Sequence, residues 1–448
     1  MGSYEKIFKA YDVRGIVPDE LDEDVAESVG AAFVRLTGAP SVVTVHDMRT
    51  SSRPLAEAFA RGATSQGADV IEGGLGSTDV LYYASGSLGM PGAMITASHN
   101  PAKYNGIKLC REGARPVGRD TGLIELRDAA AQGLPPYHGT PGVVVQRDLL
   151  SGYASHLKKL VDLSAIRPLT VAVDAGNGMA GYTVPKVFEG LPITVVPLYF
   201  ELDGTFPNHE ANPIDPQNLR DLQRAVIDSG ADIGLAFDGD ADRCFVVDER
   251  GAVVSPSVLT ALIAVRELAR EPGAAVIHNL ITSRAVPEII TEHGGIPIRT
   301  RVGHSFIKAR MAETGAVFGG EHSGHFYFRD FWYADSGMLA ALHVLAALGE
   351  QDAPLSDVLA GYGRYVATGE INSEVADQAG ATARVRAEFA SRPGVTFDEL
   401  DGLTVTGDGW WFNLRPSNTE PLLRLNLEAS DEDTMLRLRD EVLGIVRG

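Results

Sequence analysis

Two cysteines, Cys110 and Cys244, are all that 448 residues contain. Two cannot build a disulfide framework, and a chain of this length buries large cores without covalent staples. Their scarcity points to a reducing compartment, and a cytoplasmic location is expected. Long hydrophobic runs are missing too. The most apolar stretch, 338–348 (MLAALHVLAAL), is too short to span a bilayer, and the opening MGSYEKIFKAYDVRG lacks the apolar region of a signal peptide. Basic residues are in deficit: 39 Lys and Arg stand against 59 Asp and Glu, a formal net charge of −20. That balance disfavours nucleic acid and anionic membranes as partners. If the ligand is an anion, its Arg and Lys partners must be gathered in one cleft.

What is present reads as α/β. Hydrophobic residues make up 44% of the chain and charged residues 22%, ordinary proportions for a globular protein. Short β-branched runs alternate with amphipathic segments. Ser41–His46, Leu169–Asp174, 193–197, 232–237 and 245–248 read as strands, with shorter ones at 69–72 and 93–96. Residues 53–66 and 179–189 read as helices, and Leu219, Leu222 and Val226 share one face of a helix that Gly230 closes. The Gly- and Pro-rich 133–142 (GLPPYHGTPG) reads as a linker, and 249–256 as a weaker break. Past 363–367 the character changes: strands at 369–374, 404–406, 410–415 and 422–427 surround one helix. A last helix opens on a capping box, Ser430 with Asp433, and lines up Met435, Leu438, Val442 and Val446 on one face. The expected division is into four: 1–142, 143–251, 252–365 and 366–448, three α/β domains with mixed or mostly parallel sheets and a smaller α+β domain.

Four segments carry chemistry. In Asp238-Gly-Asp240-Ala-Asp242-Arg243, three carboxylates at alternate positions converge on one hard cation if the backbone turns there. A calcium loop would use the same residues, with Glu249 as its twelfth. Arg243, however, stands where that loop needs glycine, and the flanks are strand-like. An Arg beside the triad suits a metal that shares an anionic ligand, such as a phosphoryl group. In Thr96-Ala-Ser98-His99-Asn100-Pro101, a serine follows a buried strand and Asn-Pro enforces a turn, so the hydroxyl faces a cleft. Lys108 follows ten residues after Ser98, across a turn at Tyr104-Asn105-Gly106. A serine nucleophile with His99 as its base is disfavoured. Neighbours on an extended strand point to opposite sides, and no G-x-S-x-G elbow is present. A turn or cap serine is the plain alternative.

Gly319-Gly320-Glu321-His322-Ser323-Gly324-His325 sets a carboxylate, a hydroxyl and two imidazoles between glycines, which suits the hydroxyls of a sugar. Zinc on His322 and His325 is the rival, and it lacks both further ligands and a helix. Arg415-Pro416-Ser417-Asn418-Thr419-Glu420-Pro421 offers a guanidinium, two hydroxyls, an amide and turn N–H groups as a cradle for a phosphate dianion; a polar hairpin turn is the alternative. Near the start, Tyr11-Asp12-Val13-Arg14-Gly15 adds an Arg that serves an anion or is simply solvated. Serine, metal, sugar loop and phosphate loop together describe phosphoryl transfer at a point where four domains meet.

AYDVRG, TASHNP with NGIK, DAGNGMAG, FPNHEANP, FDGDADR, VGHSFIK, GEHSGH and RPSNTEP follow one another in this order. With them the chain resembles the α-D-phosphohexomutase superfamily, most closely its phosphomannomutase/phosphoglucomutase branch, over essentially its whole length. The resemblance implies three related mixed α/β domains and a smaller fourth around one cleft. It implies that Ser98 is a phosphoserine and that Asp238, Asp240 and Asp242 hold Mg²⁺ together with a phosphoserine oxygen. Lys108, Arg14 and Arg243 would then compensate charge, and Lys108 or His325 would move the hydroxyl proton. Glu321 and Ser323 would bind sugar hydroxyls, Tyr11 and His304 would line the substrate site, and Arg415, Ser417, Asn418 and Thr419 would grip the phosphate that is not transferred. The implied reaction interconverts hexose 6-phosphate and hexose 1-phosphate through hexose 1,6-bisphosphate, with mannose the leading sugar and glucose a second. Bacterial relatives of dual specificity often read Met where this chain has His322, and some carry a lysine that 279–284 (NLITSR) lacks. Both departures bear on the sugar, not on the reaction. The alternatives are a phosphoglucosamine mutase, which commonly reads Gln at the place of His322, and a metal-dependent phosphatase, which would not need both a serine donor and a distant cradle.

Overall fold

The structure, a computed structural model, describes residues 2–417 and 422–448. β-branched runs become strands where the sequence places them. Ser41–His46 and Leu169–Asp174 keep their expected limits, and Ile193–Leu198, Ile233–Phe237 and Cys244–Asp248 move by a single residue. The helices expected at 53–66 and 179–189 are Ser52–Ser65 and Ala180–Phe188.

One plan is built three times. In the first sheet, Asp69–Leu75, Ser41–His46 and Gly92–Ile95 run parallel, and Tyr104–Arg111 and Val13–Ile16 follow antiparallel. In the second, Ile193–Leu198, Leu169–Asp174 and Ile233–Phe237 are parallel, followed by Cys244–Asp248 and Val253–Val254 antiparallel. In the third, Ile296–Thr300, Ala275–Asn279 and Phe318–Gly320 are parallel, followed by Phe326–Phe328 and Ala334–Asp335. Each time the third parallel strand turns back as a hairpin. Those three hairpin loops contain Ser98, the Asp238–Asp242 triad and Glu321–His325.

The fourth sheet is antiparallel throughout, in the order Val366–Glu374, Leu422–Ala429, Trp410–Pro416, Leu403–Gly407, Thr396–Asp398. Helices Gln378–Ala390 and Glu432–Arg447 close its own core, which includes Phe389, Phe412, Leu425 and Val442. The apolar run 338–348 lies in helix Gly337–Gly349, buried on every side, within a core that continues from the second sheet into the third. No helix is long and apolar enough to cross a membrane among the described residues.

Two local expectations change. The last helix is capped by Asp431, whose side chain accepts from the Thr434 N–H at 2.8 Å, and not by Ser430. Residues 133–142 do not end the first sheet: Val144–Gln146 pairs parallel with Asp69–Leu75, so a boundary at 142 falls inside the chain of that sheet.

Candidate active site

Ser98 follows the buried strand Gly92–Ile95, is 2% exposed and has a left-handed φ of 49°. Its N–H is capped by Thr96 Oγ1 at 2.9 Å. That turn aims the hydroxyl across the domain boundary, where it donates to Asp238 Oδ2 at 2.7 Å. The same φ overturns the expectation that His99 points away. His99 Nδ1 lies 3.3 Å from Ser98 Oγ, because the backbone there is not extended. Arg243 donates to that nitrogen as well, and its charge, with burial, holds the His99 imidazole well below its ordinary pKa. With its Nδ1 already taken by Arg243, the ring has no free lone pair facing Ser98.

The acidic loop lies between two strands rather than two helices, and Glu249 is engaged elsewhere, accepting from the Ser356 N–H and hydroxyl at 3.0 and 2.5 Å. Carboxylate oxygens of Asp238, Asp240 and Asp242 lie within 4.8 Å of one another, and all three side chains are buried. Lys108 Nζ sits 2.7 Å from Asp240 Oδ2 and 2.6 Å from Asp242 Oδ2. Burial opposes the ammonium charge, but the two carboxylates outweigh it and hold Lys108 above the usual lysine range. Burial likewise acts on Asp240, where Lys108 wins and keeps the group well below the usual carboxylate range. Asp238 goes the other way: burial, then Asp242 and Asp240, push it well above that range. Arg243 Nε is 3.2 Å from Asp238 Oδ2. Asp240 Oδ1 and Asp242 Oδ1 are buried and make no hydrogen bond among the described residues. Oxygen-only donors, crowded like charges and unsatisfied lone pairs fit a hard divalent cation.

The sugar-loop candidate is stitched to the acidic loop by backbone: Arg243 and His325 form an antiparallel bridge, and the Cys244 N–H donates to Gly324 O at 3.2 Å. His325 Nε2 lies 3.7 Å from Asp242 Oδ1 and its Nδ1 3.0 Å from Ser323 Oγ, while burial and Arg243 hold the ring below its ordinary pKa. Glu321, 3% exposed, accepts from Tyr327 OH at 2.7 Å and from the Gly303 N–H at 3.3 Å. His322 joins no metal-sized cluster among the described residues. A cavity of about 310 Å³ has Tyr11, Arg14, Ser98, Lys108, Arg243 and His325 in its wall. Arg14 enters it from strand Val13–Ile16 and donates to Asp12 and to Asn100 Oδ1.

Arg415 and Ser417 stand apart from that wall, on the hairpin of the fourth sheet. Arg415 is 8% exposed and donates to Glu370 Oε2 at 3.0 Å; Arg424 meets the other oxygen of Glu370 at 3.3 Å. Glu370, Arg415 and Arg424 all act electrostatically on His322, so this hairpin faces the glycine-rich loop. Asn418 and Thr419 lie outside the described residues. His304 begins helix His304–Thr314, and its side chain lies outside them too.

Sequence reasoning misses Thr78, whose N–H donates to Asp240 O at 3.0 Å and whose hydroxyl donates to Asp240 Oδ2 at 2.5 Å. Arg49 is missed as well, although an Arg just past a buried strand is a signal that could have been followed. Glu370 and Arg424 carry no local signal.

Known proteins match along the whole chain. Residues 5–132, 151–251, 256–365 and 370–445 match, in order, the families described as Phosphoglucomutase/phosphomannomutase alpha/beta/alpha domains I, II and III and C-terminal domain. A protein named "Phosphohexose mutases" from Xanthomonas campestris pv. campestris is 41% identical over 444 residues, covering 98% of this chain and 99% of that one. A phosphomannomutase of Escherichia coli K12 is 40% identical over 445 residues, 97% of each chain. The crystal structure of a phosphoglucomutase/phosphomannomutase family protein from Burkholderia thailandensis superposes with a TM-score of 0.89 at 34% identity, covering 99% of this chain and 97% of that one. The thrice-built sheet, the convergent hairpin loops and these matches agree: the chain belongs to the phosphoglucomutase/phosphomannomutase family of enzymes.

Proposed function

We propose that this enzyme interconverts hexose 6-phosphate and hexose 1-phosphate, mannose phosphates first and glucose phosphates as well, through a phosphorylated Ser98. The observation that carries this is the placement of one buried serine hydroxyl 2.7 Å from a triad carboxylate, within a wall of Lys108, Arg243 and Arg14. A chain with formal charge −20 has gathered its cations where a phosphoryl group would pass.

In the first half-reaction, O1 of a hexose 6-phosphate attacks the phosphorus on Ser98. The O1–P bond forms, the P–Oγ bond breaks, the O1 proton passes to a base and the product is hexose 1,6-bisphosphate. The bisphosphate then turns over, Ser98 Oγ attacks the phosphorus on O6, and O6 leaves with a proton. Lys108 is clamped between two carboxylates and acts by charge; the neutral His325 ring is the better proton acceptor. Asp238, Asp240 and Asp242 would hold Mg²⁺, which when bound supplies charge neutralisation to the transferring group. Glu321 and Ser323 would hold sugar hydroxyls, and Arg415 with Ser417 the distal phosphate. Burial of Ser98 itself, 2% exposed, would limit the water that reaches the phosphoserine.

Intact-mass measurement tests the donor. A phosphate-sized increment should appear in part of the purified protein and vanish in Ser98→Ala along with turnover of mannose 1-phosphate. An increment that survives the substitution places the donor elsewhere.

A further inference from the structure

The loop from Ala97 to Tyr104 has almost no ladder of its own, yet it must hold a non-glycine residue at φ 49° and aim its hydroxyl across a domain boundary. Such a loop needs its inward carbonyls satisfied by something rigid. Arg49 supplies that. Its Nη1 donates to the carbonyls of Pro101 and Tyr104, each at 3.0 Å, and its Nη2 to those of Ser98 and Asn100 at 2.8 and 2.6 Å. The fifth donor, Nε, faces Asp47 Oδ2 at 3.3 Å, and Asp47 is itself held by the Ser52 hydroxyl and the Arg49 N–H. Four N–H groups of one planar fork therefore hold four carbonyls of the loop, while Nε keeps an ion-pair contact with Asp47, an arrangement that the three donors of a lysine cannot reproduce. Asn105 ties the far end of the loop to Ser51 and Ser52 at 2.8 and 2.9 Å.

The second domain closes over this fork. The Phe206 ring covers the guanidinium carbon at 5.0 Å, and Phe206 belongs to FPNHEANP, a stretch that has no part in the site described above. Gly204 lies so close that a Cβ there would be 2.5 Å from Arg49 Cα. From the other side, a Cβ on Gly239 of the acidic loop would be 2.5 Å from the Ser98 carbonyl oxygen. Arg49 is 3% exposed and takes no part in the wall of the catalytic cavity.

We propose that Arg49 is the positioning residue for the phosphoryl-carrying serine, and that Phe206 is the lid through which the second domain keeps Arg49 in register. The inference rests on Ser98 being the phosphoryl donor. Because Arg49 acts on the loop backbone and not on sugar or distal phosphate, its loss falls on turnover and not on substrate binding. A displacement of Ser98 by a fraction of a bond length is enough to spoil in-line transfer.

The test compares Arg49→Lys, Phe206→Leu and Phe206→Tyr with the unaltered enzyme, using mannose 1-phosphate with added bisphosphate. Arg49→Lys should lower kcat roughly a hundredfold while KM stays within about threefold. Phe206→Leu should lower kcat by about fivefold to tenfold, and Phe206→Tyr, which keeps a ring over the guanidinium, should restore it. If Arg49→Lys does not fold, the Phe206 pair decides. Intact mass of the unaltered enzyme separates the two levels: absence of phosphate on Ser98 defeats the donor assignment. Phosphate present with kcat unchanged in Arg49→Lys, or equal losses in both Phe206 variants, overturns the positioning role.

Discussion

At the residue scale the three acidic side chains of the Asp238–Asp242 loop are not equivalent, and their differences decide what each substitution does. Asp240 is charged because Lys108 and Thr78 hold it; Asp238 is the strained member, pushed toward its protonated form by burial and by its two neighbours. Removing the charge of Asp238 therefore relieves repulsion, whereas removing that of Asp240 leaves a buried ammonium with one partner in place of two. In EDTA, Asp238→Asn should melt at or above the unaltered protein. Asp240→Asn should lose about 1–3 kcal/mol, the cost of an unsatisfied buried group. Both should lose Mg²⁺-dependent turnover almost entirely. Thermal melts with and without Mg²⁺, beside activity, check this; equal destabilisation of the two metal-free variants would show that the asymmetry is wrong.

At the element scale the decisive feature is that three equivalent hairpin loops bring their motifs to one place. Each motif was legible in the sequence because it is contiguous, short and flanked by strands. The buried central strands were legible because a strand covered on both faces reads as an unbroken apolar run, as in Leu169–Asp174. The repetition of the plan came only through the family resemblance, which implied three related domains; local pattern does not give it, since it resides in strand order and direction. Thr78 was not legible either, because its partner lies 162 residues away; the place of Arg49 just past a strand was a signal, but the loop carbonyl it holds at Ser98 lies 49 residues on. Val144–Gln146, exposed and only 3 residues long, carries no periodic signal. The start of the last helix slipped by one residue because Ser430 and Asp431 are both good caps, and what distinguishes them is that Asp431 accepts from the Thr434 N–H. Asp431→Ala should accordingly cost about 1 kcal/mol in denaturant unfolding of the C-terminal domain, with Ser430→Ala near neutral. The reverse order would restore Ser430 as the cap.

At the scale of the whole molecule, the domains are joined in two different ways. The first three share buried polar and apolar contacts. Asp79 of helix Thr78–Leu88 accepts from Ser77, from Tyr153 of the second domain at 2.6 Å and from Ser336 of the third at 2.6 Å. Burial raises its carboxyl to about 6 despite those three donors. An acid whose pKa is higher folded than unfolded favours the fold below its unfolded value, and loses that advantage as pH rises through its folded one. Asp79→Asn should therefore gain on the unaltered protein as pH rises from 4 to 7, by up to about 3 kcal/mol. Parallel stability profiles would show that Asp79 titrates normally. The fourth domain is joined differently. It has its own core, and it meets the third through the small apolar group of Leu280, Ile281, Val302 and Trp411, through Glu428, which accepts from Ser283 and from the Arg284 N–H, and through polar contacts of Asp401 with the Val302 N–H and of Asp398 with Arg299. A mostly polar junction of this kind leaves motion of the domain as a body the default expectation. A mutase needs that freedom, because one cradle must grip whichever phosphate is not reacting. In the proposed cycle Arg415, held by Glu370, would be the charged centre of that cradle. Its grip is remote binding energy used in the transition state. Arg415→Ala removes a charge-assisted contact worth about 1.5–3 kcal/mol. The expected loss of kcat/KM is roughly tenfold to a hundredfold, at about 1.4 kcal/mol per tenfold. The bisphosphate should also escape more often before it turns over, so the variant should need more added bisphosphate to stay active. A phosphatase acting on a monophosphate would show neither dependence. Steady-state kinetics over a range of bisphosphate concentrations decides the matter, and an unchanged kcat/KM with an unchanged bisphosphate requirement would remove Arg415 from the cradle.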